Sequence, residues 1–265
     1  MGTESPKQRL YAQLARIAGA MASPQRLELV EILAQGERSV AALAEVVRLP
    51  IANVSHHLQV LRDVGLVIGH KQGLFVHYRL ADPEVFDLHR KLATVGRQRL
   101  TEVDSIVQRY FEGRDGLEPV GRAELLRRVR DGSVIVLDVR PPEEYAAGHV
   151  PGAVSMPLES LEAGLIHLPK GKPVVAYCRG PYCVMAFEAV LRLRERGRDA
   201  RRLEEGFPEW RAEGMPVAVG AGPAAGSSSP RVRPGRGGRT TSPEADKRRA
   251  TRRKARARPQ AKGPR

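Results

Sequence analysis

The sequence predicts two folded domains of different class, followed by a basic tail. The first is mainly α-helical with a small β wing, and the second is an α/β domain built on an open parallel sheet. Three observations carry this reading. Residues 7–111 show helical periodicity broken by one pair of short strands. Residues 120–219 alternate short β-branched runs with helical stretches, the pattern of a parallel sheet covered by helices. Residues 220–265 are Gly, Pro, Ser, Arg and Lys with almost no large apolar side chains, too few to offset the entropy of ordering. The expected boundaries are 1–112 for the first domain, 113–119 for a linker, 120–219 for the second domain and 220–265 for a disordered tail.

In the first domain Ser23-Pro24 reads as an N-cap followed by proline at the first helical position. It opens a helix to about Ala34 with Leu27, Val30, Ile32 and Leu33 as its apolar face, and Gln35-Gly36 ends it. Ser39 caps a short helix from Val40 to Val47, and Arg48-Leu49-Pro50 breaks the chain. A further helix runs from about Ile51 to Val64, with Val54, Leu58 and Leu61 at i, i+4 and i+7 facing inward. Gly65 closes it. Leu66–Ile68 and Phe75–Leu80 read as strands around Gly69-His70-Lys71-Gln72-Gly73, a hairpin with a basic tip. Ala81-Asp82-Pro83 then opens one long helix from about Glu84 to Phe111. Its stripe of Val85, Leu88, Leu92, Val95, Leu100, Val103 and Val107 is longer than so small a domain can cover, which points to a homodimer interface.

Past the linker Gly113–Pro119, helices are expected at 122–130, 142–147, 158–162, 184–196 and 207–213. Strands are expected at 133–138, 153–155, 173–177 and 200–203. In an open parallel sheet the ligand site lies at the carboxyl ends of the strands. Cys178 ends one of those strands, and a short Gly/Pro loop carries the chain from it into a helix.

Fourteen of the 44 Lys/Arg and two of the 30 Asp/Glu fall in residues 220–265, so the tail holds a net +12 of the total +14. The folded part is therefore close to neutral, and the tail offers sequence-independent affinity for phosphates. A hydrophobic content of 42% supports real cores. The two cysteines give no disulfide framework and fit a reducing compartment. No signal peptide or membrane span is expected, and the chain reads as cytoplasmic.

Helix, helix, turn, helix and a basic hairpin is the layout of a winged helix-turn-helix. The segment Ala52–Val67 and the wing Gly69–Leu80 resemble the recognition helix and wing of ArsR-type repressors, a likeness over roughly residues 8–110. The resemblance implies a homodimer that reads a palindromic operator in double-stranded DNA. The residues agree: opposite the buried Val54, Leu58 and Leu61, the helix presents Asn53, Ser55, His56, Gln59 and Arg62. His70 and Lys71 on the wing suit phosphates or a minor groove. A merely solvated face has the same composition. His57 is left outside the DNA-reading set as a structural histidine. No metal is expected in this domain. The helix before the recognition helix, Val40–Val47, has no cysteine. Asp87 and His89 supply half of the family's carboxy-terminal site, but Leu100 and Val103 stand where the other half belongs.

Val136–Val154, containing Asp138, Arg140 and Tyr145, resembles the first signature of the rhodanese family. Gly206-Phe-Pro-Glu-Trp210 with Gly214-Met-Pro216 resembles its last, although Glu205 replaces a glycine often found there. The likeness covers about residues 118–219 and implies a persulfide on the loop cysteine, formed from a sulfane-sulfur donor such as thiosulfate. Cys178 is then the nucleophile, with a pKa lowered by the loop amides and the helix N-terminus. Arg179 is the cation nearest to it. Asp138 and Arg140 brace the loop as an ion pair. Cys183 either resolves the persulfide or packs under the helix. Val184 occupies the position that would hold the arginine of a C-x5-R phosphatase loop, which argues against tetrahedral-oxyanion chemistry. No cofactor is expected.

Three functions fit: a DNA-binding regulator whose rhodanese domain senses or transfers sulfane sulfur, a thiosulfate sulfurtransferase whose winged domain serves dimerisation or recruitment, and a catalytically idle rhodanese serving as an interaction module.

Overall fold

The winged half begins with a helix that seals its own first turn. Helix α1 spans Pro6–Met21, and Ser5 and Gln8 cap each other's backbone N–H at its start. Helix α2 (Pro24–Leu33) starts where the Ser23-Pro24 pair places it, but the Ser23 hydroxyl donates to the Gln25 side chain and does not cap. A two-residue strand β1 (Arg38–Ser39), not anticipated from so short a stretch, follows. Ser39 then caps α3 (Val40–Val47) by accepting from the Ala42 N–H, and α4 (Ile51–Asp63) completes the helix-turn-helix. The wing is β2 (Val67–Gln72) and β3 (Phe75–Leu80), and the sheet order is β1-β3-β2.

The computed structural model describes residues 4–110 and 119–220, so the linker and tail expectations lie almost wholly outside the described residues. Two expectations for the winged half need correction. The strands run further than predicted, so the hairpin tip is Gly73-Leu74, with Gly73 at φ 61°. His70 and Lys71 are therefore strand residues, paired with His77 and Val76. The single long helix is also two helices, α5 (Pro83–Arg99) and α6 (Thr101–Tyr110). Leu100 between them is extended (φ −109°, ψ 103°). Its carbonyl accepts from the N–H groups of Val103 and Asp104, so it serves as the N-cap of a fresh helix. Apolar periodicity continues across such a break because each piece keeps its own inward face.

The second half is a four-stranded, wholly parallel sheet in the order β5-β4-β6-β7. Its elements are α7 (Arg122–Arg130), β4 (Ile135–Asp138), α8 (Pro142–Ala147), β5 (Val154–Ser155), α9 (Leu161–Gly164), β6 (Val174–Tyr177), α10 (Val184–Glu195), β7 (Ala200–Arg202) and α11 (Phe207–Ala212). The stretch expected as one helix at 158–162 is a 3-10 turn, α9 and a second 3-10 turn, reaching His167. Side-chain alternation divides the core. Ile135, Leu137, Val174 and Ala176 pack with Leu161, Ala189, Val190 and Leu193 on one face. Val136, Val175 and Tyr177 pack with Leu125, Tyr145, Phe207 and Trp210 on the other. Helices thus cover both faces. The two halves belong to one compact unit and touch through buried polar side chains.

Candidate functional sites: a reading helix and a cysteine loop

On α4, Val54, Leu58 and Leu61 are fully buried. Asn53, Ser55, His56 and Arg62 are exposed and Gln59 is half-buried, as the helical spacing predicts. Gln59 is engaged within the helix, accepting from Arg62 (2.6 Å) and donating to Asp63 (2.5 Å). His57 points the other way: its Nδ1 is buried without a hydrogen-bond partner, and burial, with Arg26 and His56 nearby, lowers its pKa. That fits a neutral structural histidine. Lys71 is exposed on the wing, whereas His70 Nε2 lies 3.3 Å from the Glu37 carboxylate. Of the half metal site, His89 stacks on Phe86 and Asp87 lies beside Arg90.

The cysteine loop joins the end of β6 to the start of α10. Cys178 is 2% exposed, and its thiol donates to the carbonyls of Gly180 (3.8 Å) and Cys183 (3.5 Å). Burial and the neighbouring Cys183 push its pKa well up. Cys183 is the N-cap residue of α10. The hydrogen bond from Cys178 lowers its pKa, helped by backbone hydrogen bonds at Arg179 and Met185 and by the Arg179 charge. The expected depression at Cys178 is thus found at Cys183. Amides do converge on this loop, but the sulfur at the helix end is the second one. Val184, in place of a clamp arginine, is half exposed.

Gly206 fixes the back of the loop. A Cβ there would lie 2.3 Å from the Gly180 nitrogen and 2.4 Å from the Arg179 carbonyl carbon. The next residue, Phe207, donates its N–H to the Cys178 carbonyl (3.0 Å). The last rhodanese-like signature therefore does its work by close backbone approach.

Asp138 and Arg140 form a fully buried pair, with Nη2–Oδ2 at 2.5 Å and Nε–Oδ1 at 2.9 Å. Tyr177 donates to the same carboxylate (2.6 Å), and the Arg140 guanidinium lies 4.3 Å from the Phe207 ring centre. Arg179 is not a free cation. Its guanidinium grips Glu144 through Nη2 (2.6 Å) and Nε (2.9 Å). Burial alone would lower its pKa, and the Glu144 carboxylate more than offsets that.

Five residues of this region escaped the sequence reading: Glu144, Gln35, Arg38, Glu31 and Glu209. Glu144 lies inside the first rhodanese-like signature, and its place beside Tyr145 was the available signal. Glu209 likewise lies inside the last signature, Gly206–Trp210, and Gln35, Arg38 and Glu31 had no signal because their partners are more than a hundred positions away. The carboxyls of Glu31 and Glu209 crowd the space beside Gly180, and burial raises both to about 7.

Comparison with known proteins agrees with this architecture. Residues 23–68 match the arsR family of bacterial regulatory proteins, and residues 122–213 match the rhodanese-like domain. The chain is 40% identical over 220 residues to the HTH-type transcriptional regulator Rv0324 of Mycobacterium tuberculosis, covering 83% of this chain and 96% of that protein. It is 29% identical over 90 residues to a sulfurtransferase of Allochromatium vinosum, covering 34% of this chain and 82% of that one. Among solved structures, the homodimeric winged helix-turn-helix DNA-binding domain of Mb0332 from Mycobacterium bovis is 34% identical, with a TM-score of 0.35, over 38% of this chain and 93% of that chain. With the likeness to Rv0324 running through both halves, this chain belongs to the ArsR-type transcriptional regulators that carry a rhodanese-like domain.

Proposed function

We propose that this regulator binds a palindromic operator as a homodimer and that its cysteine loop takes up sulfane sulfur as a persulfide on Cys178. What supports the sulfur reading is the geometry of the loop: Cys178 donates its thiol to the Cys183 carbonyl (3.5 Å), and Cys183 sits at the N-cap of α10, where Cys178 beside it and the Arg179 charge favour its thiolate. The pair supplies its own base. Cys178 passes its proton to the Cys183 thiolate as its sulfur attacks the outer sulfur of thiosulfate. The S–S bond of the donor breaks, sulfite leaves with the bonding pair, and Cys178 carries the added sulfur. Cys183, losing its proton again, then attacks the inner sulfur of the Cys178 persulfide. A Cys178–Cys183 disulfide forms and hydrosulfide leaves. Asp138 and Arg140 hold the loop in place, and Arg179 supplies positive charge for an anionic donor.

Intact-mass analysis after thiosulfate treatment tests this. The wild type should end as the Cys178–Cys183 disulfide, Cys183→Ser should gain one sulfur more slowly and keep it, and Cys178→Ser should gain none. Sulfur addition to Cys178→Ser at the yield of Cys183→Ser overturns the assignment.

The dimer reading rests on apolar side chains left exposed on the helices flanking the reading head: Leu10 and Leu14 on α1, Leu88, Leu92 and Val95 on α5. A second copy is the partner whose helices carry the same stripe. Leu92→Glu should convert a dimer to monomers by light scattering and weaken operator binding. The similarity to a sulfurtransferase supports an enzymatic second reading, in which the winged half serves dimerisation or recruitment. Multiple turnover of thiosulfate with a thiol or cyanide acceptor favours the enzyme, and a single stoichiometric sulfur favours the sensor. A loop that takes up no sulfur is an interaction module.

A further inference from the structure

The cysteine loop is held partly by the other half of the molecule. Gln35, just past the end of α2, is wholly buried. Its amide nitrogen donates to the Arg179 carbonyl of the loop (3.0 Å), and its amide oxygen accepts from Arg140 (3.0 Å). Arg38 is nearly as buried and donates to Glu144 (2.5 Å) and Glu143 (3.1 Å). The same Glu144 oxygen accepts from Arg179 (2.6 Å). One buried carboxylate is therefore shared by two guanidiniums, one beside the cysteines and one on the DNA-reading half.

Arg38 is also well placed to pass on a change. It lies on β1, where it pairs with Tyr78 of the wing strand β3. The next residue, Ser39, pairs with His77 and caps α3, the helix that packs against the reading helix α4. A second arm runs through Arg211 of α11, whose guanidinium donates to the Ala34 carbonyl (2.5 Å) at the end of α2.

We propose that Gln35 and Arg38 are positioning residues of the cysteine loop, and that the Arg179–Glu144–Arg38 relay couples the state of that loop to the wing and the helix-turn-helix. An anion at the loop, whether an anionic donor or a persulfide, competes with Glu144 for Arg179. When Arg179 turns toward it, Glu144 is left to Arg38 alone, and the charge balance that seats β1 changes. Coupling of this kind is reciprocal, so operator binding must alter the chemistry of the loop thiols. The sulfur ligand rests on the function proposed above, whereas the relay itself is testable without it.

The experiment uses the full-length reduced protein and a duplex selected from a random pool by that protein. The rate of alkylation of Cys183 by iodoacetamide is followed against pH, with and without saturating duplex. In the wild type the duplex should change the rate by about fivefold or more. Arg38→Met and Gln35→Met should each shift the pH profile of the free protein and lose most of the duplex effect. Arg38→Lys, which keeps a cation on Glu144, should restore it. A residue needed only for folding would lower the melting temperature and leave profile and duplex effect as in the wild type. That result in both methionine variants, or no duplex effect in the wild type, overturns the proposal. If the linkage appears while thiosulfate adds no sulfur, the relay stands and the sulfur reading falls.

Discussion

Along α4, Asn53, Ser55, His56 and Arg62 stand in solvent and Val54, Leu58 and Leu61 lie in the core, so one helix carries the whole proposed reading face by itself. The cysteine loop is made in the opposite way. Its two sulfurs come from one short segment, but its supports come from Gln35 and Arg38, from Asp138, Arg140 and Glu144, and from Gly206 and Phe207. The first surface is free to meet a large partner and needs only a correct helix. The second is enclosed, and each polar group in it must be answered by another. Substitutions in α4 should accordingly change affinity and spare stability, and substitutions around the loop should change both.

The largest effect is expected at Asp138. Asp138→Ala leaves the Arg140 guanidinium buried without its counter-charge and removes the acceptor of the Tyr177 hydroxyl. Losing one partner of a buried pair costs about 3–5 kcal/mol. Urea titration should show that loss, with reduced sulfur uptake in whatever folded fraction remains. A cost below about 1 kcal/mol would mean that Arg140 finds another partner, and that the enclosed site is less dependent on pairing than the contrast with α4 requires.

Gly206→Ala comes next. The added carbon meets backbone at Gly180 and Arg179, which cannot yield as a flexible side-chain end would. Overpacking of this kind costs about 1–3 kcal/mol. Because the strain falls on the loop itself, the alkylation rates of Cys178 and Cys183 should move with it. Stability loss with unchanged thiol reactivity would show that the loop relaxes elsewhere.

The reading helix was legible because everything that defines it lies within one helical period. Spacing alone sorted Val54, Leu58 and Leu61 from Asn53, Ser55 and His56. The wing was legible as a hairpin but not in its tip, since Gly69 and Gly73 are both turn residues in type and only pairing decides between them. Gly73 holds the positive φ, whereas Gly69 faces the Tyr78 ring across the sheet. The break at Leu100 was hidden by an apolar stripe that two helices share. In the second half, the order of strands and helices and the position of the cysteines followed from local pattern. Which cysteine favours thiolate did not, because it depends on how deeply each sulfur is buried and on which one lies at the helix N-cap beside Arg179. Gln35 and Arg38 were invisible because no local pattern encodes a partner 105 to 144 positions away.

On α4 the comparison can be tested from its other side. The double variant Ser55→Ala with His56→Ala removes two exposed polar side chains and should leave the denaturation midpoint within error of the wild type. Operator affinity should fall by about 1–3 kcal/mol for each base edge that is no longer read. Unchanged affinity in the folded double variant removes these two residues from the DNA-reading set.

The smallest effect concerns Glu31 and Glu209, whose carboxyls meet beside Gly180 where the two halves touch. Burial raises both from 4.5 to about 7, and the Glu31 charge adds to the rise at Glu209. Unfolded, both titrate near 4.5, so between that pH and about 7 the folded chain holds more protons than the unfolded one. The contribution of the pair to stability is then fully present below 4.5 and is lost as pH rises toward 7. Glu31→Gln makes one member permanently neutral and relieves the other of its neighbour's charge. Relative to the wild type, the variant should gain on the order of 1 kcal/mol on going from about pH 5 to about pH 8, read as a difference between denaturation midpoints. Parallel pH curves for variant and wild type would mean that Glu31 meets water in the folded state, and that the seam between the halves is open at this point.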